Sequence, residues 1–526
     1  MTNLNEEIRN LIEVVDETQK AKPVSPGTAI SVSHAVSRAA LIYEMARNAV
    51  EFRAEHLLRR AAIERILKRR FITNSSGLGV GELLARELLW ARYLDEEKVS
   101  QEKIEEIQEV VYKYIDLKNL VIQDSSRDEK SKISDWLVGL ASCEIEKKLS
   151  PAPIREALIS FVYRSLRERV VIEGLNDQKI KNIQTYIAVH RAFAESDDPI
   201  IRFHLFLTRF PNWMETKRDG VETVTSQFFS IHQEIEGQLS FPFGDELRRK
   251  LRREMPPFLV IRDLINEKPE ELESLLSDPE KLEESAKKIL KNKYQQTGAK
   301  LRRAATRSII YIFLTKMLFA LILEIPFDFL IGKTNYAAIG INTLFPPALM
   351  FLVTASIRLP GEDNTRKVIV KIKDYCYDSV SAKNMIEIKQ PVKKTGLASV
   401  FNFIYLAMFI VIFGLILWFL NQLHFNPVSQ AIFLFFVCVV FFFGFRVRLI
   451  TKDYVLQEKE SALSPLVDFF SLPVLRVGQI LSRELAQINL LIFIFDFVIE
   501  APFKAFFIVI EEWIKFIRIK KEEITA

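Results

Sequence analysis

No apolar run long enough to cross a bilayer occurs before residue 308, and four such runs follow it. The chain is 49% hydrophobic and 26% charged, so the two kinds of residue are segregated rather than mixed. Cysteine is scarce. Cys143, Cys376 and Cys438 stand far apart, which excludes a disulfide framework and a paired-cysteine metal knuckle and leaves buried or spare thiols. The opening MTNLNEEIRNLIEVVDETQK carries acids and no apolar core, so it does not read as a secretory signal peptide, and insertion is expected to start at the first membrane segment.

Catalytic motifs are also missing. GLGVGE at 77–82 has spaced glycines but neither a preceding strand nor the GKS or GKT ending of a phosphate loop, and reads as a flexible joint. His190 and His204 flank RAFAESDDPIIRF, and His232 lies four residues before Glu236, but neither arrangement makes an HExxH zinc site. No nucleophile stands with a base in a recognisable spacing. The expectation is a non-enzymatic chain with no catalytic, cofactor-binding or metal-ligating residue.

What the sequence does contain is a threading pattern. Apolar segments at 309–331, 337–357, 400–420 and 428–445 each suffice for a hydrocarbon core of roughly 30 Å, and inside lipid each must be helical to satisfy its own backbone. Eight Lys and Arg and no acid fill Lys287–Arg307, and nine basic residues lie in the connector 358–399. The connector after the first segment holds only Lys333, and NQLHFNP after the third holds no Lys or Arg, whereas Arg446, Arg448 and Lys452 follow the fourth. Cations gather on the cytoplasmic side, so both termini are expected there, in a cell membrane if the source is prokaryotic.

The fold class expected is mainly α: a polytopic helical membrane protein with a large N-terminal cytoplasmic helical domain. Its divisions are an N-terminal helix and linker at 1–25, a helical domain at 26–300, a membrane domain at 301–457 with the cytoplasmic loop 358–399, and amphipathic interface helices at 458–526. Few glycines and long 3.6-residue patterns before Leu301 support the helical part, with one long helix running from Ser33 as N-cap to about Arg70. Within the loop, KVIVKIKDY and NMIEIKQ alternate with period 2 and suggest a small β-hairpin.

Polar residues inside the apolar segments are the candidate functional sites. LFALILEIPFDFLIG, 318–332, carries Glu324 and Asp328 four residues apart on one helical face, with Pro326 between them. Lys316 lies one helical stretch earlier, and Asn342 precedes the Pro346–Pro347 pair in the second segment. Exposure of such groups to lipid costs about 3 kcal/mol, so they must be paired, neutralised or wet. VIEAPFKA at 498–505 partly repeats ILEIPFDF, and places Asp496, Glu500 and Lys504 on a narrow polar stripe. Glu500 or Asp496 is the expected partner of Lys316. Residues 488–514 could span, re-enter or lie on the membrane, and PVLRVGQILSREL upstream reads as a second interfacial helix.

Basic clusters at Arg59, Arg60, Arg69 and Arg70, at Arg248 and Arg249, and at Arg302 and Arg303 are candidates for anionic headgroups. A net charge of only +5 argues against nucleic acid. The partners expected are an anionic bilayer and proteins docking on the helical domain, with homo-oligomerisation left open. The function expected is membrane-anchored assembly or interaction; the alternative is a channel or transporter with a polar path at the first hairpin, and a membrane-embedded enzyme ranks third.

Overall fold

The computed structural model describes residues 4–20, 44, 55–94, 99–122, 126–331, 336–377, 385–388, 397–449, 451–456 and 471–481, with 509, 513, 516 and 517. It is mainly α, and its described part divides into two compact units. One takes 6–252 and 382–388; the other takes 253–381 and 389–490.

In the first unit, helix α1 (Glu6–Lys20) buries Ile8, Leu11, Ile12 and Val15, an i, i+3, i+4, i+7 stripe. Helices α2 (Glu55–Thr73), α3 (Val80–Trp90), α4 (Gln101–Val121) and α5 (Arg127–Leu149) follow. Ser100 caps α4, and Ser126 with Glu129 forms a capping box on α5, so short polar side chains satisfy helix-start amides. Their shared core contains Ile63, Leu84, Val111, Leu137, Phe206, Trp213 and Phe228, with Trp136 set edge-on to Phe228.

The GLGVGE segment is a tight turn rather than a flexible joint. Gly77 and Gly79 both adopt φ +71°, where only glycine is free of strain. Asn74 Oδ1 accepts from the Gly77 amide at 3.1 Å, and a Cβ on Gly81 would stand 3.0 Å from the backbone of Ile104 and Gln108.

Strand β1 (Val170–Ile172) pairs in parallel with β2 (Ile386–Ile388), Val170 opposite Ile386. The expected hairpin within the loop is therefore not formed. Its first half is a helix, Glu362–Tyr377, burying Asn364, Val368, Ile369, Ile372, Tyr375 and Cys376. That spacing satisfies a helical face as well as it satisfies alternation, and sixteen residues exceed a usual strand.

The second unit begins well before Leu301. Helix Pro256–Glu267 packs on the long helix Pro279–Phe319 and on Glu362–Tyr377, with the rings of Phe258 and Tyr375 4.4 Å apart. Asp278 caps the long helix, accepting from Glu280 N at 2.9 Å. That helix runs unbroken from charged to apolar sequence, so no boundary falls where composition changes.

Among the described residues, four helices are long and apolar enough to cross a membrane: Pro279–Phe327, Ala337–Ala355, Asn402–Gln422 and Pro427–Leu449. Leu301, Ile312, Met350, Ile432, Phe436, Val440 and Val447 form a core among the first, second and fourth. Gly444 lets Val353 approach so closely that any Cβ there would overlap it. The third leaves Phe403, Ile410, Leu415 and Trp418 exposed. Pro346 and Pro347 lie inside a continuous helix, Tyr336–Ala355.

Candidate functional site

The polar residues of the first two apolar helices converge. Lys316, Glu324 and Asn342 each have zero exposure, and Ser429 is 3% exposed. Lys316 Nζ donates to Glu324 Oε1, and Asn342 Nδ2 donates to the same oxygen at 2.8 Å. Asn342 Nδ2 also reaches the carbonyl of Ser429 at 3.2 Å, linking three helices. The Lys316 ammonium lies 5.3 Å from the Phe436 ring centre.

Local backbone geometry makes this pairing. Eight residues on an ideal helix turn through about 800°, which would leave Lys316 and Glu324 about 80° apart. Ala320–Glu324 form a π-turn, whose wider loop takes up one residue. The two side chains then sit as if about seven residues apart, within about 20° of the same face. Pro326 follows at once; the wider turn makes room for a ring that cannot donate to Ile322.

Lys316 is thus paired to Glu324 of its own helix; Asp496 and Glu500, the partners the sequence suggested, lie with Lys504 outside the described residues. Asp328 falls on the next short helix, Ile325–Ile331. Glu324 Oε2 and Asn342 Oδ1 are buried with no hydrogen-bond donor among the described residues.

The arginines expected to form a headgroup face on α2 are engaged internally instead. Arg59 meets Glu146 at 2.8 Å; Arg60 meets Glu64 at 2.5 Å and Asp197 at 2.6 Å. Arg69 and Arg70 share Glu87, which is 1% exposed. The acids come mostly from other helices, so the run of cations in sequence hides its own neutralisation. Arg248 and Arg249 on Gly244–Glu254, and Arg302 and Arg303 on the long helix, are exposed.

A second polar cluster escaped the sequence. Asp263, 4% exposed, accepts from Tyr454 Oη at 2.6 Å and faces Lys293 Nζ at 3.2 Å. Asn364 donates to Tyr294 Oη at 2.8 Å and to the Tyr454 carbonyl at 2.7 Å, and accepts from Leu456 N at 3.0 Å. These bonds tie the segment after the fourth apolar helix to three helices of its own unit. The local signals were two polar residues, Asp263 and Asn364, each on the apolar face of its helix.

The expected interfacial helix, Ser471–Leu481, packs elsewhere. Gly478 sits against the Cys438 carbonyl and Phe442, where any Cβ would overlap the oxygen. Val474 joins Phe433, Val437 and Cys438 in a common core. Cys438 is the middle residue of Pro427–Leu449, so this helix meets the fourth apolar helix halfway along rather than at its end.

In the first unit a half-open groove of about 640 Å³ is floored by Ile183, Tyr186, Leu205 and Ile235, with Lys179, Arg209 and Glu234 among its rim. Next to Tyr186, the rings of His190 and His204 lie tilted to each other with centres 4.8 Å apart. Burial drives both histidines toward neutrality, His190 well below its usual pKa and His204 to about 4.

No family model, curated protein or solved structure matches the chain.

Proposed function

We propose that the chain is a polytopic helical membrane protein with both termini in the cytoplasm, acting as an assembly or interaction protein that presents its helical unit at the inner leaflet. Four helices of sufficient length and hydropathy support embedding. Cations clustered before the first and after the fourth apolar helix support the orientation.

The observation that carries the functional reading is closure of the intramembrane charges on each other. Lys316 and Glu324 cancel with zero exposure, as in a bundle built to hold its shape. The groove over Tyr186 and Leu205 supplies the helical unit with a surface for a protein partner.

Transport is the second reading, favoured by the π-turn at Glu324 and by the two acceptors, Glu324 Oε2 and Asn342 Oδ1, that have no donor among the described residues. Solute and ion flux into liposomes carrying the purified protein, beside a folded Glu324→Gln variant, separates the two. Neither protein should raise flux above empty liposomes. Flux in the parent that Glu324→Gln abolishes would replace interaction with transport.

A further inference from the structure

Helix Ser471–Leu481 carries one stripe at i, i+4, i+7 and i+8: Leu472, Arg476, Gln479 and Ile480, all exposed. The opposite face, with Val474 and Gly478, is buried against the fourth apolar helix. Arg476 Nη1 donates to Gln479 Oε1 at 2.9 Å, a neutral acceptor that leaves the cationic charge uncompensated among the described residues.

The depth of this arginine is fixed by Gly478. Pro427–Leu449 has 23 residues, about 34 Å of helix, and Cys438 lies about 16 Å from either end. Arg476 stands two residues, about 3 Å along its axis, from the glycine that touches Cys438. A guanidinium reaches roughly 7 Å from its Cα, while the hydrocarbon half-thickness is roughly 15 Å. Snorkelling alone therefore leaves the charge inside the apolar layer, where lipid contact costs about 3 kcal/mol.

We infer that the Arg476–Gln479 edge lines a water-filled vestibule within the membrane, where Arg476 binds an oxyanion of the phosphate or carboxylate type. The inference rests on the reading that the four apolar helices span a bilayer. Guanidinium donors not used by Gln479 form the bidentate fork that such anions accept. The ligand is either a free anion in the vestibule or the phosphate of a lipid drawn into it.

A membrane-impermeant maleimide, applied to the full chain in liposomes of neutral lipid, tests this. Gln479→Cys and Ile480→Cys probe the edge; Ile410→Cys, 64% exposed on the third apolar helix, reports a lipid-facing site. The natural cysteines are buried, and the unsubstituted chain measures their background. Edge cysteines should react at least about tenfold faster than Ile410→Cys. Inorganic phosphate should slow Gln479→Cys, and the slowing should vanish when Arg476→Gln is added. Slowing that follows anionic lipid instead of free phosphate identifies the lipid phosphate as the bound oxyanion. Two unreactive edge cysteines beside an unreactive Ile410→Cys would overturn the vestibule while leaving the spans intact. Reactive edge cysteines indifferent to phosphate and to anionic lipid would overturn the anion site. A readily labelled Ile410→Cys would instead overturn the membrane reading itself.

Discussion

Lys316 and Glu324 stand eight residues apart on one helix and still share a hydrogen bond, because the π-turn at Ala320–Glu324 returns them to one face. Asn342 completes the contact from a second helix. Removing one partner of a fully buried pair strands the other, at a cost of about 3–5 kcal/mol. Lys316→Met and Glu324→Gln should each destabilise by that order, and the double variant by clearly less than their sum. Unfolding in mixed micelles measures all three. Additive losses would mean that the two charges do not interact.

Gly478 leaves no room for a side chain against Cys438. Gly478→Ala should lift Ser471–Leu481 from the fourth apolar helix and expose the thiol that it covers. A membrane-permeant maleimide should then label Cys438 several-fold faster than in the parent. An unchanged rate would mean that the packing tolerates a methyl group.

Asn364 holds both the carbonyl of Tyr454 and the amide of Leu456. Asn364→Ala leaves these backbone groups to find other partners, costing about 1–3 kcal/mol for each that stays buried. Faster tryptic cleavage at Lys452 is the expected sign, and an unaltered cleavage rate would contradict the tie.

Acid should weaken the helical unit. His204 and His56 are both lowered to about 4, chiefly by burial, with Lys147 acting on the first and Arg155 on the second. The unfolded chain binds more protons than the folded one between about pH 4 and the ordinary histidine value of 6.5. Stability is therefore full above that ordinary value and declines as pH falls toward 4. Near-UV circular dichroism of the buried Trp136 and Trp213 in the intact protein should show a lower melting temperature at pH 5 than at pH 7.5. A flat profile would mean that these histidines are not held neutral.

The mainly helical fold and the apolar helices were legible because long apolar runs are a one-dimensional signal. Four apolar helices stand where the runs are, and polar residues inside them singled out Lys316, Glu324 and Asn342 before any geometry was known. The pairing was not legible: an ideal helix keeps residues eight apart on different faces, and a π-turn has no simple sequence signature. The α2 arginines misled for the opposite reason, since Glu146, Asp197 and Glu87 reach them from other helices. Helix Glu362–Tyr377 was misread because branched residues satisfied both periods. The depth of Ser471–Leu481 depends on one glycine whose neighbour is 40 residues earlier in the chain.

The most direct test of the central claim, a chain threaded four times with its helical unit on the cytoplasmic side, is side-specific labelling. Gln422→Cys lies at the end of the third apolar helix that leads to the fourth, and Arg366→Cys lies on the helix between the second and third. With an impermeant maleimide on sealed, oriented vesicles, the account predicts that Gln422→Cys reacts only from the outer face and Arg366→Cys only from the cytoplasmic face. Labelling of both from one face would contradict it.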